Sequence, residues 1–207
     1  MRQALAIAPS ASIQSAEIQE HLGSIVSGHG AALHFERALA IREKLTPKET
    51  EPLLTRLGDL KAEAGKHREA EMFYRRAVDV AQGKRLANAY NNVAIALEAQ
   101  DNLADAEPFY RKSAEAYARA LGPQHPEVAS VMINLAGAVL ARGDLNAAED
   151  LLRRSLTILE STVGPGHPRV ADAYESLSNI MQAKGDPAAA RRYQERAASL
   201  RSGSTTR

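Results

Sequence analysis

Two histidines, His125 and His167, stand 42 residues apart in similar linkers, Leu121-Gly122-Pro123-Gln124-His125-Pro126 and Val163-Gly164-Pro165-Gly166-His167-Pro168. Imidazoles are common metal ligands. These two, however, occupy equivalent turns, and each is expected to cap or pack its own turn and not to share an ion. A closer group, His21, His29 and His34, has Gly28 and Gly30 among its members. Those glycines are expected to break any helical face that would converge the rings, and no carboxylate completes a recognisable site. Gly65-Lys66-His67 lacks the upstream glycine of a phosphate-binding loop, and no Gly-x-Gly-x-x-Gly follows a strand. No serine stands in a nucleophile elbow, and the chain has no cysteine to act as thiolate, zinc ligand or disulfide partner. The reading is of a non-enzyme without cofactor or metal.

Charge is similarly unspecialised. With 26 basic and 25 acidic residues the net charge is +1, so no strong field draws in nucleic acid or an acidic membrane surface. Basic pairs do recur, in Arg75-Arg76, Arg111-Lys112, Arg153-Arg154 and Arg191-Arg192. Glu71, Glu107 and Glu149 lie four residues before Arg75, Arg111 and Arg153, the spacing of helix-surface ion pairs worth about 0.2–0.5 kcal/mol each. A solvated helix face explains the pairs better than a nucleic-acid ridge, which would interleave aromatics among its cations. Ala4 to Ala8 is too short for a secretory core, and no stretch reaches the roughly 20 apolar residues that span a membrane. A cytoplasmic chain without membrane contact is expected.

What positions all these residues is an internal repeat. Ala70-Glu71-Met72-Phe73-Tyr74-Arg75-Arg76-Ala77 returns as Ala106-Glu107-Pro108-Phe109-Tyr110-Arg111-Lys112-Ser113, then as Ala148-Glu149-Asp150-Leu151-Leu152-Arg153-Arg154-Ser155, and loosely over 190–197, at offsets of 36, 42 and 42. Upstream of each lies a trio at spacings of three and one: Leu54, Leu57, Gly58; Tyr90, Val93, Ala94; Met132, Leu135, Ala136; Tyr174, Leu177, Ser178. That spacing holds one helical face, and the small third member lets a partner helix sit close. A breaker follows each trio, at Gly65, Asp101, Gly143 and Gly185, so each unit reads as helix, tight turn, helix. With aromatic content of only 4%, the interior is small and aliphatic.

Small residues at positions 8, 20 and 27 of a unit with a large one at 24 resemble the tetratricopeptide repeat. Counting from Glu51, Ala87, Ala129 and Ala171, position 20 is always alanine, while Gln194 departs at position 24. The 42-residue period and its Gly-Pro-x-His-Pro linkers resemble the kinesin light chain type. The resemblance implies an all-α fold, a right-handed α-solenoid of antiparallel helical hairpins, with a concave side lined by first helices. The units run 51–86, 87–128, 129–170 and 171–201, with a degenerate repeat at 12–50 whose Ser12 to Val26 matches a first helix poorly. Residues 1–11 read as the end of a truncated repeat or a cap helix, and 202–207 as a disordered tail. Lys61, where an apolar residue is usual, is expected to snorkel to water. Pro108 is expected to remove one bond from a second helix and to bend it.

In this family positions 2, 5, 6, 9 and 12 of a first helix face the groove. Here these are Pro52, Thr55, Arg56, Asp59 and Ala62; Asn88, Asn91, Asn92, Ile95 and Glu98; Ser130, Ile133, Asn134, Gly137 and Leu140; and Asp172, Glu175, Ser176, Asn179 and Gln182. Asparagine offers a donor and an acceptor, the pair that grips an extended peptide backbone. Asn92 and Asn134 are expected to do so, unless they satisfy neighbouring helix groups, and Ile95, Ile133, Leu140 and the bare Gly137 can receive one apolar side chain. Carboxylates at Asp59, Glu98, Asp172 and Glu175 point to a neutral-to-basic protein or peptide ligand. Thr55, Ser130 and Ala16 stand where an acidic-tail clamp would need cations. The alternative is a self-associating or regulatory segment of a larger protein.

Overall fold

The computed structural model describes residues 12–203, and among these every regular element is helical. The helices are α1 (Ile13–Ile25), α2 (Gly28–Leu45), α3 (Glu51–Glu63), α4 (His67–Val80), α5 (Gly83–Glu98), α6 (Leu103–Leu121), α7 (Pro126–Ala141), α8 (Leu145–Thr162), α9 (Pro168–Ala183) and α10 (Pro187–Gly203), with a 3-10 turn at Pro47–Glu49. The chain divides into two compact units, Met1–Gln82 and Gly83–Arg207. In the first, α1 packs on α2, α2 on α3 and α3 on α4; in the second, each helix from α5 to α10 packs on the next, and α7 also touches α9. This is an all-α solenoid of hairpins. The reading of residues 1–11 and of 204–207 lies outside the described residues, and α10 continues through Ser202 to Gly203, into the stretch assigned from sequence to the tail.

The hairpin turns follow from the breakers. Gly65, Gly143 and Gly185 have φ of 71°, 90° and 78°, and Asp101 takes φ 62° in the equivalent place. A left-handed residue there aims the next amide back at the helix: Lys66 N donates to Lys61 O at 2.8 Å, Asn102 N to Leu97 O at 3.0 Å, and Asp186 N to Met181 O at 2.9 Å. These six-residue closures satisfy carbonyls that the helix end would otherwise leave free.

Inside each hairpin the small and large positions interlock. Ala70, Ala106 and Ala148 are fully buried, as are Ala77, Ser113 and Ser155, around Tyr74, Tyr110 and Leu152. Buried serine is tolerated because its hydroxyl is satisfied: Ser113 donates to Ala87 O and Ser155 to Ala129 O, both at 2.8 Å.

The first hairpin departs from the sequence reading in an informative way. Ser12 caps a regular α1, its side chain accepting from Ser15 N. A Cβ added at Gly23 would lie 2.9 Å from the Phe35 ring, as one added at Gly58 would lie 2.4 Å from the Tyr74 ring. Gly23 is therefore the counterpart of Gly58, and Gln19-Leu22-Gly23 the counterpart of Leu54-Leu57-Gly58. The glycine and the ring are separated by 12 residues in the first hairpin and 16 in the second, so the match is hidden by a deletion of about one helical turn.

Gly30 lies within α2, but α1 ends at Ile25 and α2 begins at Gly28, with φ 60°, so His21 stands on a different helix from His29 and His34. One further expectation needs correction. Lys61 does not simply reach water: its ammonium lies 3.0 Å from Glu69 and 3.6 Å from Glu36. The hydrogen bond to Lys61 holds the Glu69 carboxyl below its ordinary pKa. Pro108 lies inside α6, which runs as one helix from Leu103 to Leu121.

Candidate partner-binding site

The asparagine-rich first helix of the second unit, α5, carries Asn88, Asn91, Asn92, Ile95 and Glu98. Two of its polar groups are already engaged: Asn88 Oδ1 accepts from the Tyr117 hydroxyl, and Glu98 accepts from the Tyr110 hydroxyl at 2.5 Å. Burial first, and then that carboxylate, push the Tyr110 phenol far above its ordinary pKa. Burial likewise raises Tyr117. Asn91 Oδ1, in contrast, is shut from solvent without a hydrogen-bond partner among the described residues. The Asn92 side chain is half-buried and makes no hydrogen bond to the described residues, and Ile95 beside it is 45% exposed.

On α7 the equivalent turn presents Ser130, Ile133, Asn134, Gly137 and Leu140. Ser130 donates to Pro126 O at 3.1 Å within its own helix. Asn134 is half-buried and, like Asn92, has no hydrogen-bond partner among the described residues, while Ile133 and Leu140 are half-buried. At Gly137 an added Cβ would meet nothing within 4 Å, so the patch is bare.

The third first helix of this unit, α9, is different. Asp172 and Glu175 are both exposed, but Arg201 of α10 reaches them at 3.2 and 2.5 Å. The bond to Glu175, and secondarily that to Asp172, raises the Arg201 pKa further. Asn179 and Gln182 are exposed and line a polar cleft of about 470 Å³ with Ser178, Arg191 and Gln194. Sequence reasoning missed both the Arg201 bridge and the cleft. The signal for the cleft was Gln194 in place of a large apolar residue.

Thr55 and Asp59 belong to α3, in the first unit. Thr55 donates to Glu51 at 3.0 Å and Asp59 accepts from the Tyr74 hydroxyl at 2.9 Å. Burial, reinforced by Asp59, raises the Tyr74 phenol well above its ordinary range.

The recurrent histidines have a structural task. Each is an N-cap, with His125 Nδ1 accepting from Glu127 N and His167 Nδ1 from Arg169 N, both at 3.2 Å. That geometry places the ring proton on Nε2. His34 Nδ1 lies 2.8 Å from Gln19 Oε1, and among the described residues no group of three His, Cys, Asp or Glu could hold a metal. The Glu71–Arg75, Glu107–Arg111 and Glu149–Arg153 pairs form, each at 2.7 Å. Glu149 also receives Lys184 at 2.5 Å, and this bond is the largest influence holding its carboxyl below the ordinary pKa. Among the described residues no helix is long and apolar enough to cross a membrane.

Stacked hairpins with unlike, partly unsatisfied first helices define a helical-repeat protein of the protein–protein interaction or scaffold class. The tetratricopeptide-repeat models match residues 52–83, 85–161 and 143–202, and the chain belongs to the tetratricopeptide-repeat family, with repeats of the kinesin light chain type. Proteins of this family are as a rule non-catalytic interaction modules.

Solved structures agree on the fold. BtubC (BKLC) from P. vanneervenii is similar at 23% identity and a TM-score of 0.78, over 93% of this chain and 79% of that one. A Podosopora anserina protein designated kinesin light chain, with nearly identical TPR-like repeats, is similar at 19% identity and a TM-score of 0.76, over 94% of this chain and 96% of that one. MamA is similar at 18% identity and a TM-score of 0.66, over 86% of this chain and 93% of that one. No curated protein matches the chain.

Proposed function

We propose that the second unit binds an extended peptide segment of a partner protein along the first-helix faces of α5 and α7, with Asn92 and Asn134 gripping the peptide backbone. The observation that carries this is the state of those two amides. Both are half-buried, and neither hydrogen-bonds to the described residues, although neighbouring polar side chains such as Asn88, Glu98 and Ser130 are all engaged. A side-chain amide left open beside satisfied neighbours is poised for an external donor and acceptor. Ile95, Ile133, Leu140 and the bare surface at Gly137 supply an apolar seat for one anchor side chain.

The electrostatic preference is milder than the carboxylate count suggests. Arg201 offsets Asp172 and Glu175, whereas the Glu98 carboxylate, beside the asparagines, accepts only from the Tyr110 hydroxyl among the described residues. A neutral-to-basic peptide fits this surface. Selection from a displayed random-peptide library tests the reading. Peptides bound by the wild-type chain should lose at least about tenfold in affinity to Asn92→Ala/Asn134→Ala, roughly the loss of one or two hydrogen bonds. Far-UV circular dichroism and thermal midpoint should not change. Unaltered affinity in the double variant would reject the assignment.

A further inference from the structure

Four carboxylates stand on the first helices of the second unit: Glu98 on α5, Glu127 on α7, and Asp172 and Glu175 on α9. Three of them are matched by a guanidinium, Glu127 by Arg169 at 3.2 Å, and Asp172 and Glu175 by Arg201 at 3.2 and 2.5 Å. Glu98 is matched by a phenol instead. Its Oε2 accepts from the Tyr110 hydroxyl, and its Oε1 has no hydrogen-bond or ion-pair partner among the described residues. The cations at the ends of α7 and α9 are committed elsewhere, Arg142 to Glu107 at 2.9 Å and Lys184 to Glu149 at 2.5 Å.

Tyr110 is wholly buried, so packing holds its ring and its hydroxyl fixes where the Glu98 carboxylate stands. Burial also keeps the phenol protonated and donating, since it raises the Tyr110 pKa. A carboxylate already held in one orientation loses little side-chain freedom when a second partner arrives. One turn back along α5, Ile95 is 45% exposed, and Asn92 lies three residues further back. The aliphatic stem of a lysine or arginine can rest on Ile95 while its charged head reaches Oε1.

We propose that Glu98 selects a lysine or arginine side chain of the bound peptide, its stem on Ile95 and its charged head on the free Oε1, and that Tyr110 is the positioning residue that holds the carboxylate for it. The inference rests on the peptide-binding reading. It adds the residue that decides which side chain is accepted, whereas Asn92 and Asn134 address the backbone that all peptides share.

Peptides that the wild-type chain selects from a displayed random library should share a lysine or arginine at one common position. In a synthetic lysine-bearing peptide, norleucine at that position keeps the stem and removes the charge. Fluorescence anisotropy should show the wild type preferring the lysine peptide by roughly three- to tenfold, the range for a charge-assisted contact at an exposed carboxylate. The preference should shrink as sodium chloride rises from about 0.05 to about 0.5 M, a readout that needs no variant to fold. Glu98→Gln should abolish it, and Tyr110→Phe should reduce it while leaving affinity for the norleucine peptide unchanged. Glu115→Gln, an exposed carboxylate on α6, controls for net charge and should leave the ratio as it is. Asn92→Ala/Asn134→Ala should weaken both peptides alike and preserve the ratio. If that double variant binds both peptides as tightly as the wild type while the ratio still depends on Glu98, the asparagine grip fails and the cation site stands. The proposal is overturned by selected peptides with no common basic position, by equal binding of the two peptides, by a preference indifferent to salt, or by one that survives Glu98→Gln or that Tyr110→Phe leaves whole.

Discussion

Replacing Gly58 with alanine sets two effects of opposite sign against each other, and the structure decides between them. Alanine is a better helix former than glycine by about 1 kcal/mol in a helix interior. At this position, however, the added Cβ would lie 2.4, 2.6 and 2.9 Å from three ring atoms of Tyr74, a side chain only 5% exposed and tied by its hydroxyl to Asp59 at 2.9 Å. Forcing a methyl into such a contact costs about 1–3 kcal/mol. If the ring swings away it also forfeits a hydrogen bond to a charged group, worth about 1.5–3 kcal/mol. The net expectation is a loss of roughly 2–4 kcal/mol, with the packing penalty outweighing the propensity gain.

The next repeat shows how the clash can be relieved. It pairs Ala94 with Tyr110, and there the hydroxyl goes to Glu98, three residues further along the first helix than the Asp59 counterpart. A Cβ at position 8 is thus compatible with tyrosine at position 24 when the acceptor stands at position 12. Ala62 is that position in the first unit. Gly58→Ala/Ala62→Glu should therefore recover at least about half of the loss, a coupling of about 1 kcal/mol or more between positions one turn apart on α3. Urea unfolding followed by far-UV circular dichroism measures both, since the chain has no tryptophan. A Gly58→Ala protein as stable as the wild type, or one that Ala62→Glu fails to rescue, would refute the reasoning.

Gly137 is the contrasting case: with nothing within 4 Å of an added Cβ, Gly137→Ala should stabilise the second unit by about 0.5–1 kcal/mol, read by the same unfolding assay. His125→Ala and His167→Ala each remove an N-cap acceptor and should each cost about 0.5–2 kcal/mol, whereas asparagine at either position should restore most of it. The raised phenols of Tyr74 and Tyr110 fix the direction of alkaline unfolding. A folded-state pKa above the unfolded one contributes stability that is complete below about pH 10 and is lost as pH rises beyond it. Tyr110→Phe should accordingly flatten the decline in stability above pH 10, and an unchanged profile by circular dichroism would show that the buried phenol is not its source.

The hairpins were legible because each repeat states its own rule more than once. Small residues at 8, 20 and 27 imply close helix approach wherever they recur, and a left-handed turn is readable even where Asp101 stands for glycine. The first hairpin was not legible by the same method, since a deletion of about one helical turn between Gly23 and Phe35 shifted the register that a fixed period assumes. The engaged state of the α9 carboxylates was equally hidden: Arg201 lies 26 and 29 residues from Glu175 and Asp172, on another helix, and nothing local in sequence marks the pairing. Lys61 was misread for the same reason, its partners Glu36 and Glu69 coming from the helices on either side.

The contrast between satisfied and open polar groups separates scaffold from surface in a repeat where both are built from the same positions. Asn88 and Asn92 differ by one helical turn on α5, yet one closes a bond to Tyr117 on α6 and the other, half-buried, has no hydrogen-bond partner among the described residues. Had both been needed only for stability, substitution by an aliphatic side chain would spare each the cost of burying an amide. Buried Asn91 Oδ1, without a hydrogen-bond partner among the described residues, sharpens the point: leaving a carbonyl in that state carries a penalty of about 1–3 kcal/mol. Asn91→Leu should then raise the stability of the free protein, read by urea unfolding, because it removes a buried amide oxygen that has no partner among the described residues.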